Sequence, residues 1–325
     1  MPKALFTASK RARSSAPAWA PLQPGSLVDL VAPGSGCDAA ILAAGVQQLQ
    51  EWGLRVRTPD ALFDTTPFVA SCEDNRWRQL RRALYARDSA AVWCIRGGYG
   101  CMHLTPRLIN ARPPARAKPL IGFSDVSALL HALASSWGWV GLHAPVVAQL
   151  SGDQVAGVDL KRLSDLLFGR VNELTFKQLR RLPPGTSGYR ADGLIRGRLL
   201  GGNLATLQSL AGSQGAPAFR NAVVFLEDVN ERGYAVDRML RAMEAAGMFK
   251  GARAVVLGEF LGGCEVNGTN LVRHALANLA QRLSCPVFSG VPAGHGRRAF
   301  PLPIGGHAEI LLNGTRGHLT VRLAA

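Results

Sequence analysis

The run AAVWCIRGG at 90–98 is apolar up to its final Arg-Gly-Gly, and no other feature limits the possible folds as much. A strand with one wet face alternates apolar and polar residues, so an unbroken run must be covered on both faces. SLVDLVAP (26–33), LRVRTP (54–59) and KPLIGFS (118–124) are its companions as predicted strands. Helical patterns separate them at 38–52, at EDNRWRQLRRALYARD (73–88) with its acidic first turn, and at SALLHALASSWG (127–138). This alternation predicts a doubly wound α/β domain with a parallel sheet over 26–150.

The pattern then fades into polar, proline-containing sequence such as RLPPGTSGY, which predicts a linker over 151–190. A second α/β unit is expected over 191–325, with strands at AVVFLEDV, RAVVLGEF, PVFSGVP and HAEILLN and helices at YAVDRMLRAMEAAGMF and NLVRHALANLAQRL. A length of 325 residues suits two such domains. Residues 1–25 carry positive charge but no continuous apolar segment, so they read as a flexible arm rather than a secretory signal. No window approaches the roughly 18 apolar residues of a membrane span. A cytoplasmic protein with no membrane partner is the expectation.

Six cysteines without a C-x-x-C pair fit neither a zinc site nor a disulfide framework, and are expected to be mostly small buried residues. A formal charge of +15 favours anionic partners without naming one. The basic residues are scattered and no nucleic-acid-binding motif accompanies them, so no nucleic-acid partner is expected. A non-enzymatic binder of anionic polymers remains a competing class, recognisable by steep salt dependence.

Parallel sheets bind ligands beyond the carboxyl ends of their strands. IRGGYG (95–100), GFSD (122–125), FLEDVNE (225–231) and GVPAGHG (290–296) stand at such positions. Ser124 falls between strand and helix, where a hydroxyl is presented near free backbone N–H groups. The plain alternative is an N-cap, since G-x-S-x-G fails at Val126. A serine hydroxyl needs a base. His295, between Gly294 and Gly296, is the first candidate, and His143, after a strand, is the second. Glu227 follows an apolar strand and could orient an imidazole, with Asp228 and Glu231 near it in sequence. The same cluster could bind a divalent metal, but no second set of ligands has the required spacing. Paired glycines in IRGGYG could turn N–H groups toward an anion, or simply make a tight turn.

One rival motif is present. Gly34-Ser35-Gly36-Cys37-Asp38-Ala39 fits G-x-G-x-x-A, and Asp60 follows the second strand, so a dinucleotide-binding oxidoreductase is the alternative of another class. Pro33 just before it makes that turn less standard.

Taken together, RGGYG (96–100), GFSD (122–125), GGNL (201–204), LEDVNERGYAVDRML (226–240) and GHGRRAFPLPIG (294–305) resemble, in order and spacing, the LD-carboxypeptidases, a serine peptidase family. The likeness runs from about Ser26 to Leu323 and outweighs the N-cap reading of Ser124. It implies a flavodoxin-like or Rossmann-like N-terminal domain, a C-terminal α/β domain, a site between them, and often a homodimer. It implies a muramoyltetrapeptide carboxypeptidase that uses no metal or cofactor. Such an enzyme removes terminal D-Ala from a small anionic peptide, the cytoplasmic murein tetrapeptide, in cell-wall recycling. In matching positions Ser124 would be the nucleophile, His295 the base and Glu227 its orienting partner. The N–H groups of Gly98 and Asp125 would form the oxyanion hole. Arg96, Arg297 or Arg298 could hold the substrate carboxylate bidentately. A sister group hydrolyses the amide of a peptide-nucleotide antibiotic, and its extra aromatic loop is not evident in 151–190. Ser127 stands where the family often has Thr, and Ala144 breaks its usual His-Gly-Pro.

Overall fold

The structure, a computed structural model, describes residues 19–60, 62–63, 66–184 and 193–323. In the first lobe the elements are β1 (Leu27–Val31), α1 (Ala39–Glu51), β2 (Arg55–Arg57), α2 (Glu73–Tyr85), β3 (Ala91–Cys94), α3 (Cys101–Asn110), β4 (Leu120–Gly122), α4 (Ser127–Ala132) and β5 (Gly141–His143). These strands are parallel and lie in the order β5-β4-β3-β1-β2. Every residue of β3, β4 and β5 is buried, as runs covered on both faces must be. The chain winds outward in both directions from β1 and β3, which leaves a crevice between the loops that follow them.

The second lobe contains α5 (Gly157–Leu167), β6 (Glu173–Arg181), β7 (Gly193–Asn203), α6 (Leu204–Ser209), β8 (Ala222–Val229), α7 (Gly233–Ala245), β9 (Ala254–Leu261), α8 (Val272–Arg282), β10 (Val287–Ser289), β11 (Leu302–Ile304), β12 (His307–Asn313) and β13 (Arg316–Arg322). Seven of its strands close into a barrel in the order β10-β6-β13-β12-β7-β8-β9. The stretch β7-β8-β9-β10 is parallel, and β6, β12 and β13 pair antiparallel.

Three expectations about boundaries need correction. Trp19 and Leu22 are buried, with the Trp19 indole donating to the Val140 carbonyl at 3.1 Å, so the flexible arm does not extend to residue 25. Residues 1–18 lie outside the described part. The predicted linker contains α5 and the barrel strand β6, whose polar outer face, alternating with the buried Leu174 and Leu179, hid it from a search for apolar runs. Its residues 185–190 are also outside the described part. Finally, β11 leaves the second lobe to pair antiparallel with β5, adding an edge strand to the first sheet. Of the six thiols, Cys94, Cys101 and Cys285 are buried, but Cys72 and Cys264 are exposed; all are free.

The lobes are joined by polar contacts as well as by β11. Ser127 Oγ, in the first turn of α4, accepts the Asn203 N–H at the end of β7 at 2.9 Å. A Cβ on Gly202 would stand 2.3 Å from that oxygen, so only glycine allows the approach. Arg198 donates to the carbonyls of Ala134 at 3.1 Å and Gly305 at 3.2 Å.

Candidate active site

Chain direction reverses sharply after β4. Phe123 is extended, Ser124 takes the left-handed conformation at φ 60°, and a single 3-10 turn over Ser124–Val126 leads into α4. A non-glycine residue in this region carries backbone strain of about 1–3 kcal/mol, held in place by its surroundings. Gly122 is small because a Cβ there would press on Cys94 and Val126 at 3.1 Å. Ser124 is not an N-cap: Phe123 occupies the position before the turn, and no side-chain capping bond is made there. A half-buried hydroxyl on a strained strand-to-helix turn is a nucleophile elbow by geometry, although the G-x-S-x-G spelling is missing.

The loop after β3 packs on this elbow. A Cβ on Gly97 would fall 2.9 Å from Ser124 Cβ and 3.3 Å from its Oγ, so the loop lies against the hydroxyl. Gly98 follows at φ 86°. Among the described residues, the backbone N–H groups of Gly98 and Asp125 donate to no protein group, which leaves both for a ligand oxygen. The Asp125 carboxylate turns away and accepts the Cys101 N–H at 2.8 Å, fixing the elbow to the start of α3.

The loop with the dinucleotide-like spelling serves the same packing. Ser35 N–H donates to the Gly97 carbonyl at 2.9 Å, and a Cβ on Gly34 would lie 2.4 Å from that oxygen. At the start of α1, Asp38 accepts the N–H groups of Ala40 at 2.8 Å and Ile41 at 3.3 Å. A cofactor pyrophosphate would need those donors, and a carboxylate already holds them. Gly34 therefore makes room for the elbow loop, while Gly36 lies against the Phe63 ring.

The barrel contributes charge. Glu227 stands near the carboxyl end of β8, wholly buried, and its Oε2 lies 2.8 Å from His295 Nδ1. Burial alone would raise the Glu227 carboxyl, but the neighbouring imidazoles of His143 and His295 outweigh it and hold the group at about 2. Burial alone would lower the His295 imidazole; its bond to Glu227 and the charges of Glu227, Asp228 and Glu259 prevail and raise it. The glycines beside His295 are required by space. A Cβ on Gly294 would sit 3.2 Å from Glu227 Oε2, and one on Gly296 would sit 2.4 Å from Glu259 Oε2. Glu259, at the carboxyl end of β9, accepts the Gly296 N–H at 2.9 Å and so anchors the histidine loop. Asp228 serves structure, accepting from Asn203, Ala205 and Val229, and burial pushes it up to about 6.

With Nδ1 directed at Glu227, His295 Nε2 makes no hydrogen bond among the described residues. The Phe123 ring, one residue before the serine, is 4.8 Å from the His295 ring. Among the described residues no hydrogen bond joins Ser124 to His295. The structure thus pairs Glu227 with His295 and puts the elbow beside them without closing the last contact.

The arginines differ from one another. Arg96 is exposed and donates to the Gly36 carbonyl at 3.0 Å. Arg297 is bound to the backbone and the carboxylate of exposed Asp153. Arg298 holds the fully buried Asp159 at 2.6 Å, a structural ion pair. Glu231 has no role in the Glu227–His295 pair. Sequence reasoning missed Glu259, whose signal was an acidic residue closing the apolar run RAVVLGEF, and it undervalued His143, which faces the other oxygen of Glu227. Among the described residues no group of three or more His, Cys, Asp or Glu is placed to hold a metal ion. None of their helices is long and apolar enough to cross a membrane.

Comparison with known proteins defines the class first. Residues 28–144 match the model for the LD-carboxypeptidase N-terminal domain, and residues 196–310 match that for the LD-carboxypeptidase C-terminal domain. The chain is 31% identical over 302 residues to the murein tetrapeptide carboxypeptidase of Pseudomonas aeruginosa, covering 89% of this chain and 94% of that one. It is 23% identical to the microcin C7 self-immunity protein of Escherichia coli over 80% of this chain and 82% of that one. A crystal structure of muramoyltetrapeptide carboxypeptidase from Oxalobacter formigenes superposes with a TM-score of 0.74 at 25% identity, covering 91% of this chain and 99% of that one. The chain belongs to the LD-carboxypeptidase family.

Proposed function

We propose that the protein is a metal-independent serine carboxypeptidase that hydrolyses the L,D bond releasing terminal D-Ala from cytoplasmic murein tetrapeptide. The observation that carries this reading is the buried Glu227 held 2.8 Å from His295 Nδ1, beside a serine in the left-handed conformation at a strand-to-helix elbow. Substrate binding brings Ser124 Oγ into contact with His295 Nε2; such contacts are often loose without ligand. Ser124 gives its proton to Nε2 as its oxygen attacks the scissile carbonyl carbon. Glu227 holds the imidazole in the Nδ1–H tautomer and stabilises the imidazolium that forms. The new oxyanion sits on the N–H groups of Gly98 and Asp125. Collapse breaks the C–N bond, and the leaving D-Ala amine takes the proton from Nε2. Water, deprotonated by the same nitrogen, then cleaves the acyl-serine ester and returns the proton to Ser124.

The test is incubation with tetrapeptide containing meso-diaminopimelate, read by mass spectrometry. Tripeptide plus alanine, formed equally with and without chelator, is the expected result. No tripeptide, or cleavage of a peptidyl-nucleotide amide in its place, would overturn the assignment.

A further inference from the structure

Glu227 poses an electrostatic question that its pairing with His295 does not answer. The carboxylate is completely buried, yet among the described residues only one of its oxygens has a hydrogen bond; Oε1 has none. A buried ion is normally satisfied at every lone-pair direction it can be. The atom facing Oε1 is Nε2 of His143, 3.8 Å away, itself buried and without a hydrogen-bond partner among the described residues. That distance exceeds a hydrogen bond, whose charge-assisted form spans about 2.7–2.9 Å. Two orphaned, complementary atoms therefore face each other across a gap of roughly 1 Å.

The two residues belong to different lobes. His143 ends β5 and pairs in register with Gly122 of β4, two residues before Ser124, so imidazole and elbow form one rigid unit. Its ring is fixed edge-on against Phe123 at 5.6 Å and Phe225 at 5.0 Å. Glu227 belongs to the barrel. An approach of the lobes that brings Ser124 to His295 also brings His143 to Glu227. The charged groups around the pair are His295 on the loop after β10, Asp228 on the same strand as Glu227, and Glu259 on β9.

We infer that His143 is a positioning residue: in the closed state its Nε2–H donates to Glu227 Oε1, which locks the carboxylate so that its other oxygen orients His295. This rests on the proposed roles of Glu227 and His295. The latch shares the carboxylate charge between two imidazoles, so its loss leaves more of that charge on His295.

The test compares His143→Ala with His143→Gln, whose amide can donate to the same oxygen, in the full chain. Labelled-histidine NMR follows the titration of His295, and kinetics with the tetrapeptide separates kcat from KM. With His143→Ala, kcat is expected to fall about 10- to 100-fold with KM little changed, and His295 to titrate at higher pH. His143→Gln is expected to restore most of kcat and return the titration toward that of the parent. An unmoved His295 titration in His143→Ala, or a glutamine variant indistinguishable from the alanine one, would sink the inference. If the parent protein does not cleave the peptide, the proposed function falls, while the NMR titration still decides the role of His143.

Discussion

Ser124 and Glu227 both stand at the carboxyl end of a parallel strand, β4 in the first lobe and β8 in the barrel, yet they are held in different ways. Ser124 owes its place to backbone geometry: a positive φ, a packed Gly97 on one side and the start of α4 on the other. Glu227 has no positive φ, although the pairing of β8 with β9 shifts register at its position, and it owes its state to charge, being buried against two imidazoles. Strain can be relieved by one substitution without disturbing its neighbours. A buried charge cannot be removed without stranding its partners. The two halves of the site should therefore fail differently.

The largest effect belongs to the elbow. Ser124→Ala should lower turnover by about 10⁴-fold or more while leaving substrate binding intact. Ser124→Gly should be as inactive but melt higher than the alanine variant, by about 1 kcal/mol, since glycine adopts the left-handed conformation freely. Kinetics and thermal unfolding of the two variants give the answer. If glycine brings no gain in stability, the serine is not held by strain and the contrast between lobes disappears.

Glu227→Gln is expected to cost about 10³- to 10⁴-fold in kcat, because an amide presents the wrong partner to Nδ1–H. Its signature in stability is a pH window. The carboxyl falls from 4.5 in the unfolded chain to about 2 in the fold, so its contribution is complete above 4.5 and is lost as pH drops toward 2. His295 is raised above 6.5, so its contribution is complete below 6.5 and is lost as pH rises through its folded value. The parent should exceed Glu227→Gln in stability most between about pH 4.5 and 6.5. Denaturant titrations across that range measure the difference, and a pH-independent gap would mean that the couple is not charged.

Between the halves lies the seam at Ser127. Ser127→Ala removes the hydroxyl that accepts the buried Asn203 N–H, at a cost of about 1–2 kcal/mol. Activity should fall several-fold through kcat, since the seam sets how the elbow meets the barrel. A variant that loses stability with unchanged kcat would show that the seam holds the fold together without setting catalytic alignment.

How much was legible beforehand follows the same division. The parallel sheet was readable because buried strands must be continuous apolar runs, and α1, α2 and α4 because their periodicity is strong. β6 and β13 were not, since barrel strands with one wet face, such as ELTFKQLRR and RGHLTVR, alternate and are rich in arginine. The docking of Trp19 and Leu22 depends on tertiary contacts that no local pattern encodes. Ser124 and His295 could be named because each follows a strand close to a glycine, and Glu227 because it is the first acidic residue closing an apolar strand. Their distances, and the facing of His143 to Glu227, could not, because those positions come from the meeting of lobes. The G-x-G-x-x-A spelling misleads for a related reason. Glycines that permit close packing read the same in sequence whether the approaching group is a phosphate or, as at Gly34, the carbonyl of Gly97.

The smallest effect is expected at Arg297, where sequence reasoning placed a hold on the substrate carboxylate. Its guanidinium is 64% exposed and is engaged by Asp153, itself 84% exposed. Pairs in water on both sides gain little from their attraction and are screened by salt. Arg297→Ala should therefore leave the melting temperature unchanged. The consequence for binding is less obvious, because the Arg297 backbone carbonyl also accepts the Ala156 N–H at 2.7 Å, and that bond survives the substitution. The loop bearing His295 thus stays in place, and any rise in KM measures the guanidinium alone. A change below about threefold is expected for a side chain committed to Asp153, whereas loss of a bidentate carboxylate contact would raise KM by tenfold or more. A tenfold rise at unchanged kcat would move the carboxylate clamp to the barrel side of the seam and make that lobe, rather than the elbow, the one that selects the substrate.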